Sequence, residues 1–306
     1  MTQSRPDASA GPPQARPAPS GGSEVREATN VGVSIYGNSS RPPRGDYLRG
    51  GQVAPDYTCP QNYAAYTPAD HETYRLLYER QSKLLPGLAC DEFIAALPSL
   101  GASTHIPRFD DINARLYPAT GWEVVAVPGL IPEVPFFTLL ANRKFPVTDW
   151  IRKPEEFDYI VEPDVFHDLF GHLPLLFNPV FADHMQAYGA GGLKAHGLGA
   201  CEQLARLYWF TIEFGLIQQA DGQNSELRAY GAGILSSAGE LAHAVKSTQP
   251  QRIPLDLLHC MRTPYNIDSY QASYFVIDSF EQLFELTAPD FTPLYAQLLS
   301  DEMVTK

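Results

Sequence analysis

Apolar residues first recur at helical spacing beyond Tyr63. Tyr74, Leu77, Tyr78, Leu84 and Leu85 mark one face of a run that Pro86 stops. Thr67-Pro68-Ala69-Asp70 supplies an N-cap, a proline at the first helical position and an acid in the first turn. A second helix is expected over Asp91 to Leu97. Between Trp122 and Leu130 the pattern changes to Trp-Glu-Val-Val-Ala-Val-Pro-Gly-Leu, which is short, β-branched and ended by Pro-Gly. That predicts one strand running into a turn, with proline-rich loops after it. From Pro163 onward helical signals dominate. Leu204 to Ile217 is apolar for about four turns, and Ala232 to Val245 is a further helical candidate. Ser279-Phe280-Glu281-Gln282 resembles a capping box, and Thr292-Pro293 opens a last amphipathic helix through Leu299. The pattern predicts a mainly α fold with a few short β-strands, forming a single domain over residues 56–306.

Residues 1–55 do not share this pattern. Eight prolines and eight glycines stand there among scattered Ser, Ala and Arg. Such a segment buries too little apolar surface to offset its ordering entropy, so a disordered tail is expected. The whole chain of 306 residues is 44% hydrophobic, enough for one large core. Its 22 basic and 35 acidic residues give a net charge of −13, a field that repels phosphate backbones and anionic lipid. Neither nucleic acid nor membrane is expected as a partner. No apolar run approaches the roughly 18 residues of a spanning helix, and no leader-like apolar stretch precedes Pro55. A cytosolic protein is expected. Cys59, Cys90, Cys201 and Cys260 lie far apart without a Cys-x-x-Cys pair, and read as free thiols.

Chemistry concentrates in two segments. In Pro163-Asp-Val-Phe-His167-Asp-Leu-Phe-Gly-His172-Leu-Pro174, two histidines stand five apart. On a regular helix they would be about 140° apart, too far round for one metal ion. Gly171 and Pro174 offer a way out. Glycine accepts a left-handed closing conformation and Pro174 disfavours helix at Leu173, so His172 would leave the helix and turn back toward His167. Two satisfied core histidines are the alternative on spacing alone. In the second segment Glu213 is the single carboxylate of the run Leu207 to Ile217, with no basic residue within four positions. Burying it uncompensated would cost several kcal/mol. Either a distant arginine or a metal can compensate it. Two imidazoles and one carboxylate make the facial set that holds non-haem Fe(II) with positions left open.

Three motifs carry a family likeness: Glu162-Pro-Asp-x-x-His-x-x-x-Gly-His172, Tyr208-Trp-Phe-Thr-x-Glu-Phe-Gly215 and Tyr230-Gly-Ala-Gly-x-Leu-Ser-Ser237. From about Tyr57 to Leu286 the chain resembles the tetrahydropterin-dependent aromatic amino acid hydroxylases, and most closely the short bacterial phenylalanine 4-hydroxylases. By that resemblance His167, His172 and Glu213 match the iron ligands. Gly129, Leu130 and Ile131 match the loop whose backbone meets the pterin edge, Phe136 the ring on which the pterin stacks, and Asp168 and Tyr208 further pterin-side positions. Phe136 and Phe137 read equally well as core residues on their own. Arg152 matches the arginine that receives the substrate carboxylate and Asp164 its partner. Without the resemblance Arg152 reads as a surface residue. Trp209 and Phe214 match walls of the substrate pocket, Ser236 a serine near amino acid and iron, and Tyr265 a pterin-side or lid residue. Animal members carry glutamate in place of Asp168 and histidine in place of Pro146.

The resemblance implies Fe(II) and a tetrahydropterin as cofactors, L-phenylalanine and O2 as substrates, and L-tyrosine as product. A monomer is expected, without regulatory domain or tetramerisation helix. Tryptophan is the rival substrate within the family. Bulky Trp209 leaves less room for an indole, and Ile267 offers no polar partner for a tyrosine. A zinc hydrolase using the same two histidines and glutamate is the rival of another class, with Asp168 as its nearest candidate base. A non-catalytic binding protein would not need the three ligands and Arg152 together.

Overall fold

The structure, a computed structural model, describes residues 44–305 apart from 161, 222, 223 and 268. Helix α1 (Pro68–Leu84) begins where its caps predict. Thr67 Oγ1 accepts from the Asp70 N–H at 3.2 Å, and Asp70 Oδ2 accepts from the Thr67 N–H at 2.8 Å. Tyr74 and Leu77 on its inner face are fully buried. Buried Gln81 donates its amide to the Leu235 carbonyl at 2.7 Å, tying α1 to the second half of the chain. Helix α2 (Asp91–Ala96) follows and passes into a 3₁₀ turn, Leu97–Leu100.

Helix α3 (Phe109–Thr120) leads into strand β1 (Glu123–Val127). The proline-rich stretch after β1 is not loop, as expected, but helix α4 (Glu133–Ala141) and strand β2 (Lys144–Thr148). Pro132 occupies the N-cap of α4 and Pro135 lies in its first turn, where a missing N–H leaves no bond unmade. Pro146 lies in a two-stranded parallel sheet opposite Val125, and an edge strand tolerates a proline. The pairing runs from Glu123 opposite Lys144 to Val127 opposite Thr148.

A π-turn, His167–His172, runs on into α5 (Leu173–Leu176). Helices α6 (Pro179–Leu198) and α7 (Cys201–Tyr208) come next, and α7 ends in a second π-turn, Trp209–Glu213. The helix expected through Ile217 therefore stops at Glu213. Leu216 and Ile217 belong instead to strand β3 (Leu216–Asp221), which pairs antiparallel with β4 (Asn224–Ala229). The helix expected over Ala232 to Val245 breaks in two, α8 (Ala232–Leu235) and α9 (Ala238–Lys246), because Ser237 caps a new start by accepting from the Glu240 N–H at 3.3 Å. Strand β5 (Gln251–Pro254), helix α10 (Leu257–Arg262) and strand β6 (Ser273–Ile277) complete a four-stranded sheet of order β4-β3-β6-β5. Ser279 caps α11 (Phe280–Thr287), but Gln282 Oε1 accepts from the Asp278 N–H rather than from the cap's own. The last helix, α12 (Thr292–Thr305), continues past Leu299.

Helices α4 and α6 touch almost backbone to backbone. A Cβ at Gly192 would lie 2.2 Å from Cδ1 of Phe137, and one at Gly189 would lie 2.4 Å from the Ala141 nitrogen. Only hydrogen fits at either place.

The expected tail 1–55 lies outside the described residues as far as residue 43. From Arg44 onward the described residues contact the domain. The Arg44 N–H donates to Glu162 Oε2 at 2.9 Å, its guanidinium pairs with Glu156 at 2.7 Å, and Tyr47 Oη donates to the Leu130 carbonyl at 2.8 Å. All four cysteines are free thiols. Among the described residues no helix is long and apolar enough to cross a membrane.

Candidate active site

His172 does not reach His167 by leaving a broken helix, as the sequence suggested. In a π-turn backbone bonds run i→i+5, so residues five apart return to nearly the same side. Gly171 is not left-handed. Its missing Cβ serves packing, since one there would stand 2.9 Å from the Ala232 carbonyl oxygen. Pro174 is the second residue of α5, where it interrupts nothing. The second π-turn brings Glu213 to the same point.

The three side chains meet in the interior. His167 Nε2 and His172 Nε2 are 3.2 Å apart, Glu213 Oε1 is 3.2 Å from His172 Nε2, and Glu213 Oε2 is 3.5 Å from His167 Nε2. An octahedron with bonds of about 2.1 Å has edges of about 3.0 Å, so one divalent ion fits between them as a facial set. The tautomer is prepared for it. Ser236 Oγ spends its hydrogen on the Ala232 carbonyl at 2.8 Å, and so accepts from His167 Nδ1–H at 2.8 Å. The lone pair is left at Nε2. Burial drives the His167 pKa down to about 4 against the pull of the Glu213 carboxylate, which keeps the ring neutral and able to ligate.

Beside this triad opens a cleft. Its walls include Gly129, Leu130, Ile131, Phe136, Asp168 and Tyr208, together with the triad's own His172. Asp168 Oδ2 accepts from the Thr148 N–H at 2.8 Å and Oγ1 at 3.0 Å. Burial still lifts its carboxyl to about 7. Behind the triad, Arg152 Nε and Nη2 donate to the two oxygens of Asp164 at 2.8 and 2.9 Å, and the His167 N–H donates to the same carboxylate at 3.0 Å. Both members are buried. Burial alone would raise the Asp164 carboxyl, but the guanidinium and the hydrogen bonds outweigh it and hold it below the ordinary range.

Residues 51–290 match the family model described as biopterin-dependent aromatic amino acid hydroxylase. The chain belongs to this family. It is 58% identical over 252 residues to the phenylalanine-4-hydroxylase of Ralstonia nicotianae, covering 82% of this chain and 79% of that one. To the phenylalanine-4-hydroxylase of Chromobacterium violaceum it is 57% identical over 246 residues, covering 80% and 82%. The iron- and phenylalanine-bound crystal structure of the Chromobacterium violaceum enzyme superposes with a TM-score of 0.76 at 56% identity, covering 80% of this chain and 88% of that one.

Within this hydroxylase the expected residues fall into three groups. His167, His172 and Glu213 form one cluster, with Ser236 bonded to its first member. Six pterin-side candidates share the cleft. On the other side Trp209 stands 4.5 Å, centroid to centroid, from Phe214 and stacks on Tyr265 at 4.4 Å and 15°. Tyr265 therefore packs with Trp209 and Phe214 and is not among the residues that line the cleft. Sequence reasoning missed Thr148, which carries Asp168, and Gln271, whose Oε1 accepts from Trp209 Nε1 at 3.0 Å. Thr148 lies at the end of the strand that proline content concealed. Gln271 is distant in sequence and carries no local signal.

Proposed function

We propose that this hydroxylase converts L-phenylalanine to L-tyrosine, using O2, a tetrahydropterin and Fe(II) held by His167, His172 and Glu213. One observation carries the reading: His172 belongs both to the metal-binding triad and to the wall of the cleft that gathers the pterin-side residues. Iron and pterin would thus be neighbours. When bound, they supply the reduction of O2 that ring hydroxylation requires.

The chain's own part is placement. Phe136 offers a flat apolar face and the backbone of Gly129, Leu130 and Ile131 offers edge hydrogen bonds to a pterin. Asp168, held by Thr148, and Tyr208 close the same cleft. Arg152 has five N–H groups and the Asp164 pair uses two with its side chain, so the others can receive a carboxylate in a fixed direction. Trp209, Phe214 and Tyr265 wall the aromatic ring of the substrate, and Ser236 sits where amino acid and iron would meet. The likeness at 57–58% identity to enzymes named phenylalanine-4-hydroxylase favours this reading over a zinc hydrolase. A cytosolic monomer completes the proposal, supported by four cysteines kept as thiols.

Metal analysis of the purified protein, followed by a tyrosine assay with Fe(II), tetrahydropterin and phenylalanine, tests it. About one iron per chain and tyrosine formation are expected. Glu213→Ala and His167→Ala should lose iron and turnover while keeping the far-UV circular dichroism of the parent. Faster turnover of tryptophan than of phenylalanine would overturn the substrate, and near-normal iron in either variant would overturn the triad.

A further inference from the structure

Three other metal-binding side chains converge away from the iron triad, each at the end of a helix. Glu133 is the first residue of α4, His196 lies in the last turn of α6, and Cys201 is the first residue of α7. Between the last two the chain reverses through left-handed Gly199, with the Ala200 N–H bonded to the Ala195 carbonyl at 2.9 Å. The reversal carries the Cys201 sulfur back to 3.8 Å from His196 Nδ1, and the same nitrogen is 3.2 Å from Glu133 Oε2. One donor atom from each of the three lies within 4.8 Å of the other two.

The spacing is that of ligands around a tetrahedral ion. With zinc bonds of about 2.3 Å to sulfur and about 2.1 Å to nitrogen and oxygen, tetrahedral edges are about 3.6 Å for S···N and about 3.4 Å for N···O. The observed separations differ from these by a few tenths of an ångström, within reach of side-chain rotation. The Cys201 thiol is hydrogen-bonded to Glu133, so all three side chains already face one another. We infer that Glu133, His196 and Cys201 form a second metal site, one that takes Zn(II) through thiolate, imidazole and carboxylate, with water in the fourth position. The inference does not depend on the substrate proposed above. On binding, the zinc–sulfur bond forms as the S–H bond breaks, and the proton passes to solvent. His196 is half exposed, which leaves an entry path.

Its place gives it a consequence. Glu133 also lines the cleft, and Phe136 follows it by three residues on α4. An ion here would fasten the start of the helix that carries Phe136 to the turn between α6 and α7.

Cobalt(II) tests the site in the full-length, iron-loaded protein, because thiolate-to-cobalt charge transfer absorbs in the near ultraviolet and the iron triad contains no sulfur. About one equivalent of cobalt should produce that absorption. Cys201→Ser should abolish it and weaken Zn(II) binding, measured against a chromophoric chelator, by tenfold or more. His196→Gln should weaken Zn(II) binding by a similar factor with iron content unchanged. Both changes fall on partly exposed side chains, and circular dichroism checks that the fold is kept. Absence of the absorption, its survival in Cys201→Ser, or equal zinc affinity in parent and variants would each overturn the site.

Discussion

Arg152 and Asp164 show how much a single pair decides. The pair is buried, and the carboxylate accepts four hydrogen bonds: one from the Arg152 backbone N–H, two from its guanidinium fork and one from the His167 N–H. Replacing Arg152 with Lys keeps the charge and removes the planar fork. The KM for phenylalanine should rise by about an order of magnitude or more, about 1.4 kcal/mol, and pterin should be consumed beyond the tyrosine made. Unchanged KM with full coupling would take Arg152 out of the substrate site. His184 offers a residue-scale test of stability away from the iron. Thr287 Oγ1 gives its hydrogen to the Leu283 carbonyl and so accepts from His184 Nδ1–H at 2.8 Å, leaving Nε2 buried without a partner. Burial lowers the His184 pKa to about 4. Between the unfolded value of about 6.5 and that folded value, the unfolded chain takes up a proton that the folded chain refuses. Stability is therefore present above pH 6.5 and lost as pH falls toward 4, at up to about 1.4 kcal/mol per pH unit from this group. His184→Gln should flatten that slope in denaturant titrations between pH 4 and 6.5. An identical slope in the variant would show that His184 is not the group responsible.

Elements explain why some of the site was legible and some was not. Capped helices announce themselves: Thr67 and Asp70 mark the start of α1, and Ser279 marks α11. The residue types of the candidate metal triad were visible as well, because a lone carboxylate in an apolar run demands compensation. The device that unites them was not. A π-turn has no periodicity of its own over five or six residues, so the convergence of His167 with His172 was credited to Gly171 and Pro174 breaking a helix, where the wider turn does the work. Strand β2 hid behind Pro146, and with it Thr148. Ser236 became a neighbour of His167 only because the helix breaks there, which the amphipathic pattern of Ala232 to Val245 did not register. The contact of α4 with α6 gives an element-scale prediction. Gly192→Ala would force a methyl to within about 2.5 Å of three Phe137 ring atoms, and Phe137 is fully buried. Overpacking of this kind costs roughly 1–3 kcal/mol. Because α4 also carries Phe136, the variant should lose stability and show a raised KM for pterin. Gly191→Ala meets nothing within 4 Å and serves as control. Equal melting temperatures for the two variants would refute the close contact.

For the whole molecule, the question is where the catalytic domain begins. Composition placed the boundary near Pro55, since Pro and Gly dominate everything before it. Contacts place residues 44–47 inside the working structure: Tyr47 holds the Leu130 carbonyl, and Arg44 engages Glu162 and Glu156 while lying 4.8 Å over the Trp150 ring. These are long-range contacts from a segment with no periodic pattern, so nothing local in the sequence points to them. Gly45 shows how tightly the segment is laid down, for a Cβ there would fall 1.8 Å from the Pro128 carbonyl oxygen. Pro128 adjoins the loop Gly129 to Ile131 that lines the cleft. Two truncations separate composition from contact. Deleting residues 1–43, which lie outside the described residues and hold no clustered apolar surface, should leave the melting temperature and the turnover rate within experimental error. Deleting residues 1–55 removes the Tyr47 hydrogen bond and leaves the buried Glu162 without its Arg44 donor. Each lost bond is worth about 1 kcal/mol. The melting temperature should fall by several degrees, and the KM for pterin should rise two- to tenfold, about 0.4–1.4 kcal/mol. The KM for phenylalanine should change less, because Arg152 and Trp209 are untouched by the cut. Equal pterin KM values in the two truncated proteins would show that the segment from Arg44 to Tyr47 rests on the cleft loop without shaping it.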